Sequence, residues 1–295
     1  MTNQFKGLLI TTLGVLCVVP DALFIRLIEA DAMTVAFWRL LLAGAVILFV
    51  LLFQHGRQTP IQVLSIGRWG VVYAVFAALS ALLFVISVKL TTVANTTIII
   101  ASMPVFAALI SWLTLGETLS RRTLWTIGLV FAGLLVIAYG TLSEDNSATG
   151  ATLTGDLAAL AVSLCFAIAL TAARKARAQS MIPAIPIAFI SCAIFLLPFV
   201  DPFAIPAHQW WLVALHGGVF IAASSCLLAL GPRYIQSAEV ALLILMESIL
   251  APLLVWLLLG EQPGHWTLVG GCLVLGVLCM SNLLALKRRR AWHDR

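Results

Sequence analysis

The chain contains ten long apolar segments, separated by short polar connections, within only 295 residues. Each is close to the length of about 20 apolar residues that a helix needs to cross a membrane. Because a bilayer offers no water to free backbone groups, segments of this length are predicted to be helices and not barrel strands. We predict ten spans, numbered in chain order, at residues 6–28, 33–54, 69–88, 92–114, 123–140, 155–176, 184–200, 209–230, 235–258 and 266–286.

The composition excludes most other classes of protein. Charged residues make up only 10% of the chain, against about 25% in ordinary soluble domains. Such a low fraction of charged residues excludes a soluble enzyme, a disordered chain and a nucleic-acid-binding module. The six cysteines all lie in apolar segments without a C-x-x-C pair, which indicates free thiols. The five histidines are scattered along the chain, so we predict neither a metal site nor a cofactor.

The positive charges predict how the spans are oriented. If the N-terminus lies in the cytoplasm, 14 of the 17 Lys and Arg residues lie on the same side. The positive-inside rule therefore predicts that both termini are cytoplasmic and that the number of spans is even. The basic run 287–290 has two interpretations, an anchor that fixes the topology and a site for anionic lipids.

Two stretches of the chain resemble each other at a shift of 144 residues. Residues 103–117 read MPVFAALISWLTLGE, and residues 247–261 read ESILAPLLVWLLLGE. The Leu-Gly-Glu motif that ends at Glu117 therefore matches the one that ends at Glu261. A shift of 148 aligns three further pairs: Gly7 with Gly155, Cys17 with Cys165, and Arg26 with Arg174.

The polar stretch 141–153 separates the two halves. We predict a five-helix repeat at residues 1–145, a second at 146–286, and a basic cytoplasmic tail at 287–295. Because five is odd, the second repeat must cross the membrane in the opposite direction to the first. Inverted repeats are the architecture of alternating-access transporters, whose substrate site lies near mid-membrane between the repeats. An inverted-repeat channel is the alternative of the same architecture.

These motifs give the chain a family resemblance. It resembles the drug/metabolite transporter superfamily, and specifically the ten-helix EamA-type exporters. The resemblance covers nearly the whole chain and rests on the paired segments that end at Glu117 and Glu261, on the Gly-Asp-Leu-Ala sequence at residues 155–158, and on Arg39 early in span 2.

The resemblance implies export of small metabolites, amino acids or related compounds, from a bacterial inner membrane, with the proton gradient as the driving force. It implies a central cavity framed by spans 1, 3, 4, 6, 8 and 9. Such exporters often carry a Trp-Gly-like pair in span 1 and Glu-Pro in span 9, where this chain has residues 18–21 (VVPD) and Glu247-Ser248. Both departures fall where substrate should bind, so substrate specificity cannot be transferred.

Polar residues deep in the spans are the candidates for function, because an ionised group at a helix centre costs about 2.5–3.5 kcal/mol on insertion scales. Glu247 lies in the middle of span 9, and no basic residue shares its depth. We interpret it as the candidate for proton coupling or substrate contact. The alternative is a neutral acid that bonds to a neighbouring helix.

Asp21 and Arg39 lie at similar depths in spans 1 and 2 and are predicted to form an ion pair, with a cavity role for Asp21 as the alternative.

Four further residues complete the predicted transport cavity: Trp38, Asn95, Met103 and His216. His216 has two interpretations, a second proton carrier and a neutral packing histidine. Asn95 begins span 4, and the alternative to a role in the cavity is that it lies at a solvated helix end. Trp38 adjoins Arg39, and its alternative is a place in the interfacial aromatic belt.

Three prolines lie within the spans: Pro20 in span 1, Pro104 in span 4 and Pro252 in span 9. Each removes an intrahelical hydrogen bond and can kink its helix. They are interpreted either as gate hinges or as static bends that shape the bundle.

The predicted function is therefore secondary active export, with a small metabolite, protons and the lipid bilayer as partners, by a monomer or homodimer. No Walker-type, H-E-x-x-H or G-x-S-x-G motif occurs, so enzyme activity is not predicted. Two alternatives stay open: an uncoupled facilitator or exchanger of the same fold, and an integral-membrane enzyme that acts on a lipid-linked substrate.

Overall fold

The computed structural model describes residues 3–55, 67–116, 118, 120–143, 151–175, 181–230, 234–235 and 237–293, and these contain helices and no strands. The spans have the following bounds: span 1, Asn3–Val18 and Asp21–Leu27; span 2, Ala32–His55; span 3, Gly67–Leu90; span 4, Val93–Ala101 and Met103–Leu115; span 5, Arg121–Ser143; span 6, Leu153–Lys175; span 7, Ala184–Leu196; span 8, Ala207–Leu230; span 9, Ser237–Leu259; span 10, His265–His293.

The helices confirm the predicted ten-span architecture. Nine of the described helices are long and apolar enough to cross a membrane. The tenth, span 7, is shorter and ends in a 3₁₀ turn, so that its apolar stretch covers Ala184–Phe199. Span 10 continues as a helix through His293, so the predicted basic tail is at least partly helical. Glu117 and the predicted repeat boundary at residues 145 and 146 lie outside the described residues.

Two of the three intramembrane prolines coincide with helix breaks. Span 1 is interrupted at Val19 and Pro20, and span 4 at Ser102, two residues before Pro104. Proline favours a break at these positions, because it lacks the N–H that would bond to the preceding turn. Pro252 lies inside a helix that runs from Ser237 to Leu259 without interruption.

Span 8 contains a second kind of irregularity. Its middle, Ala214–Ile221, is a π-helix between two α-helical stretches. A π-helical turn inserts an extra residue and rotates the side chains that follow, and it occurs often at functional sites. His216 lies in this segment.

The Leu-Gly-Glu motifs end spans 4 and 9 in the same way. Gly116 and Gly260 have φ angles of 68° and 74°. Glycine adopts this left-handed conformation without steric cost, and it commonly terminates helices for that reason. The motif is therefore a helix stop that both repeats use.

Packing at opposite ends of the bundle also follows the repeat. One end, named here the Glu261 end, holds the connections that follow the odd-numbered spans; the opposite Arg121 end holds both termini. At the Glu261 end, Gly155 packs on Thr91, and a Cβ on Gly155 would lie 2.7 Å from the Thr91 backbone nitrogen. At the Arg121 end, Gly7 packs on Ile235 with equal closeness. Gly7 aligns with Gly155 at the shift of 148, and Thr91 aligns with Ile235 at the shift of 144. Each repeat therefore packs the equivalent glycine on the equivalent residue.

Substitution of Gly155 by Ala should destabilise the bundle. The added methyl group would meet the backbone of Leu90 and Thr91, which cannot rotate away. We expect a loss of about 1–3 kcal/mol in the free energy of unfolding, the usual cost of overpacking. Gly128→Ala is the matched control, because no atom lies within 4 Å of the position of its Cβ. Thermal unfolding of both purified variants measures the difference, and equal midpoints would contradict the proposed close packing.

A polar centre shared by both repeats

Asp21 and Arg39 form a two-point ion pair between spans 1 and 2. Arg39 Nη2 lies 2.6 Å from Asp21 Oδ2, and Arg39 Nε donates a 3.0 Å hydrogen bond to Asp21 Oδ1. Only 2% of the Asp21 side chain and 8% of the Arg39 side chain are exposed. The structure thus brings together the two charges that the sequence pairs, and each offsets part of the burial cost of the other.

His216 of span 8 joins this pair. Its Nε2 lies 2.6 Å from Asp21 Oδ1, and its ring stacks on Phe24 with 5.3 Å between centroids. Two features of span 8 permit the approach. The π-helix carries His216, and the next residue, Gly217, lies so close to span 2 that a Cβ there would be 3.0 Å from the Arg39 carbonyl oxygen.

The guanidinium of Arg39 uses three of its five N–H donors inside the cluster. Besides Asp21, Arg39 Nη1 lies 3.4 Å from the carbonyl oxygen of Ala81, and the guanidinium carbon lies 5.6 Å from the ring centroid of Phe84 in span 3. The cation is therefore surrounded by a carboxylate, a carbonyl and an aromatic face. This leaves Arg39 little capacity to bind an additional anion.

Glu247 takes no part in the hydrogen bonds and the ion pair described for Asp21, Arg39 and His216. Its side chain is half-buried, and among the described residues it makes no hydrogen bond or ion pair. It lies close enough to Asp21 and Arg39 to interact electrostatically with both. The polar centre therefore combines Asp21 and Arg39 from the first half of the chain with His216 and Glu247 from the second.

The break in span 4 is bridged to span 6 by two serines. The carbonyl oxygen of Ile99 accepts bonds from the Ser102 hydroxyl at 2.6 Å and from the Ser163 hydroxyl at 3.0 Å. The backbone N–H of Ser102 also donates to this carbonyl at 3.1 Å, so the two hydroxyls add to a tight backbone turn at the break. Met103 and Pro104 follow directly and are half-buried.

On span 9, the hydroxyl of Ser248 donates to the Thr97 carbonyl at 3.1 Å, which links spans 4 and 9 beside Glu247.

Asn95 lies in a second buried network, at the Glu261 end. Its amide donates to both carboxylate oxygens of Asp156, at 3.0 and 3.2 Å, and its amide oxygen accepts a bond from Thr267. Asp156 also accepts bonds from the hydroxyls of Thr91 and Thr141. Asn95 is only 1% exposed, so it is not a solvated helix end. The network joins spans 4, 5, 6 and 10, away from the polar centre.

Trp38 lies between span 2 and the connection from span 7 to span 8. Its indole N–H donates to the carbonyl of Pro202 at 2.8 Å, and its ring contacts Trp210 edge to face. These contacts fix the indole at the Glu261 end. They favour the interpretation of Trp38 as an interfacial residue.

Two features of the site have only weak signals in the sequence. The His216–Asp21 contact depends on the π-helix, and the only hint is the Gly217-Gly218 pair after the histidine. Asp156 stands in the Gly-Asp-Leu-Ala sequence, which contributes to the family resemblance but gives no indication of the residues that Asp156 contacts. Among the described residues, no three His, Cys, Asp or Glu side chains are grouped to hold a metal ion.

Comparison with known proteins identifies the family. A model of the EamA-like transporter family matches residues 5–139 and again residues 153–283. The chain belongs to this family. It is therefore a multi-pass membrane transporter of the drug/metabolite superfamily, as the resemblance implied. The two matches also divide the chain into two similar halves.

One relative and one solved structure are similar to this EamA-like transporter. A protein of Archaeoglobus fulgidus described as an uncharacterized transporter is 27% identical over 258 residues, which cover 87% of this chain and 89% of the relative. A crystal structure at 20% identity aligns with a TM-score of 0.61 over 96% of this chain and 99% of the other. At that identity the likeness shows a shared fold.

Neutralising Asp21 should destabilise the protein more than neutralising Arg39. Asp21→Asn leaves a guanidinium that cannot lose its proton, whereas Arg39→Gln leaves a carboxylate that can take one up. We expect Asp21→Asn to cost about 3–5 kcal/mol in the free energy of unfolding, as removal of one partner of a buried pair does. The double variant should recover much of this loss, because neither charge remains. Thermal unfolding of the three purified variants tests both statements. An Arg39→Gln variant less stable than Asp21→Asn would contradict the order, and a double variant less stable than Asp21→Asn would contradict the pairing.

Proposed function

We propose that this transporter exports small metabolites, with amino acids and related amines as the first class, by proton-coupled alternating access. In the proposed orientation both termini lie in the cytoplasm of a bacterium, the protein resides in the inner membrane, and the Glu261 end faces outward. The observation that carries the proposal is Glu247, an acid without a partner among the described residues, beside a paired charge cluster between the two repeats.

The pairing of the other charges supports a proton role for Glu247. Asp21 already accepts bonds from Arg39 and His216, so its charge is balanced within the protein. Glu247 has no such fixed partner among the described residues. A carboxyl group in low-dielectric surroundings can exchange a proton for another cation, because either one neutralises its charge. Glu247 is thus the group best suited to couple proton entry to substrate exit.

The same arrangement favours recognition of the amine end of a substrate. Arg39, the cation of the polar centre, is already bonded to Asp21 and to the Ala81 carbonyl. A substrate carboxylate would find little free positive charge there. An ammonium group would find the unpaired carboxylate of Glu247. We therefore propose that substrates are held through a protonated amine.

The break in span 4 supports a moving part near this site. Discontinuous helices at the repeat interface are typical of secondary transporters. The Ile99 carbonyl at the break bonds to hydroxyl groups, which can exchange partners with little loss. We propose that Met103 and Pro104 move as the pocket changes sides, whereas Pro252, inside a continuous helix, is a static bend.

Substitution of Glu247 by Gln should abolish transport against a gradient. Glutamine keeps the shape but cannot exchange a proton at neutral pH. Loss of a charged contact worth about 1.5–3 kcal/mol predicts a fall in uphill transport of about tenfold or more. The measurement is uptake of a radiolabelled metabolite panel into proteoliposomes, with and without an imposed pH gradient.

Glu29→Gln is the matched control, because it makes the same chemical change at an exposed acid outside the polar centre. We expect it to transport as the parent protein does. Near-normal uphill transport by Glu247→Gln would refute the coupling role. Conversion of a panel compound into a new product would instead support the enzyme alternative.

Blocking the amine of a transported compound should matter more than blocking its carboxylate. For the best substrate of the panel, N-acetylation should reduce transport by about tenfold or more, because it removes the charge that Glu247 recognises. The methyl ester of the same compound should still be transported. Competition assays with both derivatives provide the measurement. The proposal fails if the ester loses competition and the N-acetyl compound retains it.

A further inference from the structure

Residues 197–206, named here the 7–8 connection, lie beside the membrane-spanning part of the bundle and not above it. Two side chains from the first two turns of span 2 bond to this connection. The hydroxyl of Thr34 donates to the Asp201 carbonyl at 3.4 Å, and the indole N–H of Trp38 donates to the Pro202 carbonyl at 2.8 Å. The 7–8 connection therefore descends to the depth of these turns.

Span 7 is too short to carry the connection clear of the membrane. Its α-helix has 13 residues, and the 3₁₀ turn that follows adds three. At about 1.5 Å and 2.0 Å per residue, these elements span about 25 Å, against about 30 Å for the hydrocarbon core of a bilayer. A helix that starts at the opposite boundary of the core therefore ends about 5 Å below the nearer one, and the 7–8 connection starts there.

The exposed surface of the connection is aromatic and almost free of charge. The exposed fractions of Phe199 and Phe203 are 68% and 80%, and that of Trp211, in the first turns of span 8, is 64%. Between residues 184 and 230, Asp201 is the only Asp, Glu, Lys or Arg in the sequence. Aromatic side chains are enriched where a protein meets the membrane–water interface, and a water-filled surrounding would leave this surface uncovered.

The backbone of the connection is suited to a place with little water. Three of its ten residues are prolines, which have no N–H to satisfy: Pro198, Pro202 and Pro206. The carboxylate of Asp201 accepts the N–H of Phe203 at 3.1 Å, and its carbonyl accepts the N–H of Ala204 at 3.1 Å. These features reduce the number of free backbone groups, whose cost is high close to the hydrocarbon core.

The opposite side of the connection is fixed to the bundle. Ile205 is 4% exposed and belongs to the same apolar cluster as Phe37 of span 2. Gln209, where span 8 begins, accepts the backbone N–H of Glu29 at 2.8 Å through its amide oxygen. The connection is therefore an element with two faces, one packed on spans 1 and 2 and the other uncovered by protein.

We propose that the 7–8 connection is inserted into the interfacial region of the lipid leaflet at the Glu261 end, with Phe199, Phe203 and Trp211 in contact with lipid. The exposed carboxylate of Asp201 stays at the depth of the headgroups, which limits the insertion to the interface. Because the connection leads directly into span 8, its contact with lipid fixes the depth of that span and of His216 within it. This contact depends on the location of the chain in a membrane, and not on the substrate or the coupling ion.

A fluorescent label beside Phe203 tests the contact in the full-length protein in liposomes. Ala204 is exposed, and Ala204→Cys on a background without the native cysteines accepts a single bimane label without loss of an aromatic side chain. Two quenchers are compared, a phospholipid with a nitroxide on its acyl chain and iodide on both sides of the membrane. The lipid quencher should lower the fluorescence by about twofold or more and iodide by much less, because an interfacial segment lies about 5–10 Å into the headgroup and acyl boundary.

Two further label positions calibrate the quenchers. Gln262→Cys, in the exposed connection after span 9 at the same end, should respond to iodide and not to the lipid quencher. Leu135→Cys, at a 70% exposed position on span 5, should show the reverse. Stronger quenching by iodide than by lipid at position 204 would place the connection in water and overturn the proposal. Protection from both quenchers would also overturn it, because protein, such as a second copy of the chain, would then cover the connection.

Removal of the two phenylalanines should withdraw the connection from the membrane. With the label at position 204, the double variant Phe199→Ser and Phe203→Ser should show about twofold less quenching by lipid and more by iodide, because the aromatic surface that favours the interface is lost. Phe53→Ser, at an 85% exposed position near the other end of span 2, is the matched control and should change neither. Unchanged quenching in the double variant would overturn the assignment of these side chains as the lipid contact.

Discussion

The structure depends on one constraint: inside a bilayer, a polar group must find its partner within the protein. Asp21 and Arg39 satisfy each other, and His216 reaches the same carboxylate through an irregular turn of span 8. The Ile99 carbonyl, at the break in span 4, accepts bonds from the Ser102 N–H and from the hydroxyls of Ser102 and Ser163. Asp156 accepts only neutral donors among the bonds described. Glu247 on span 9, by contrast, is an acid that makes no hydrogen bond or ion pair with the described residues, and ionisable groups of this kind in a membrane span often handle a ligand or a proton.

The two repeats share their framework and differ at the polar centre. Both end a helix with a left-handed glycine, Gly116 and Gly260, and both pack a glycine closely against the loop of the neighbouring hairpin. The aligned sequences diverge where function is proposed, because Met103 of the first repeat corresponds to Glu247 of the second. Only the first repeat breaks its helix at that level. In the proposed mechanism, the symmetric scaffold provides the motion, and the asymmetric pair of positions provides the chemistry.

The sequence predicted the fold well, because hydrophobic length and charge bias act locally along the chain. Span 4, for example, is predicted at 92–114 and extends over 93–115. Arg39 and Asp21 could be paired from depth alone, since each has few alternatives in an apolar environment. The contact of His216 with Asp21 could not, because it depends on a π-helix and on how closely Gly217 approaches span 2. The Asn95 network was missed for a related reason: its members come from four helices, and their meeting is a property of the packed bundle.

The opposed orientation of the two repeats is the claim on which the account depends most. It is tested most directly by placing single cysteines at Arg121 and at Gln262, both exposed and each just beyond a matching Leu-Gly-Glu motif. A membrane-impermeant thiol reagent is then applied to intact cells, on a background without the native cysteines. The account predicts labelling of position 262 only, with position 121 labelled after the membrane is opened. Labelling of both positions from the same side would contradict it.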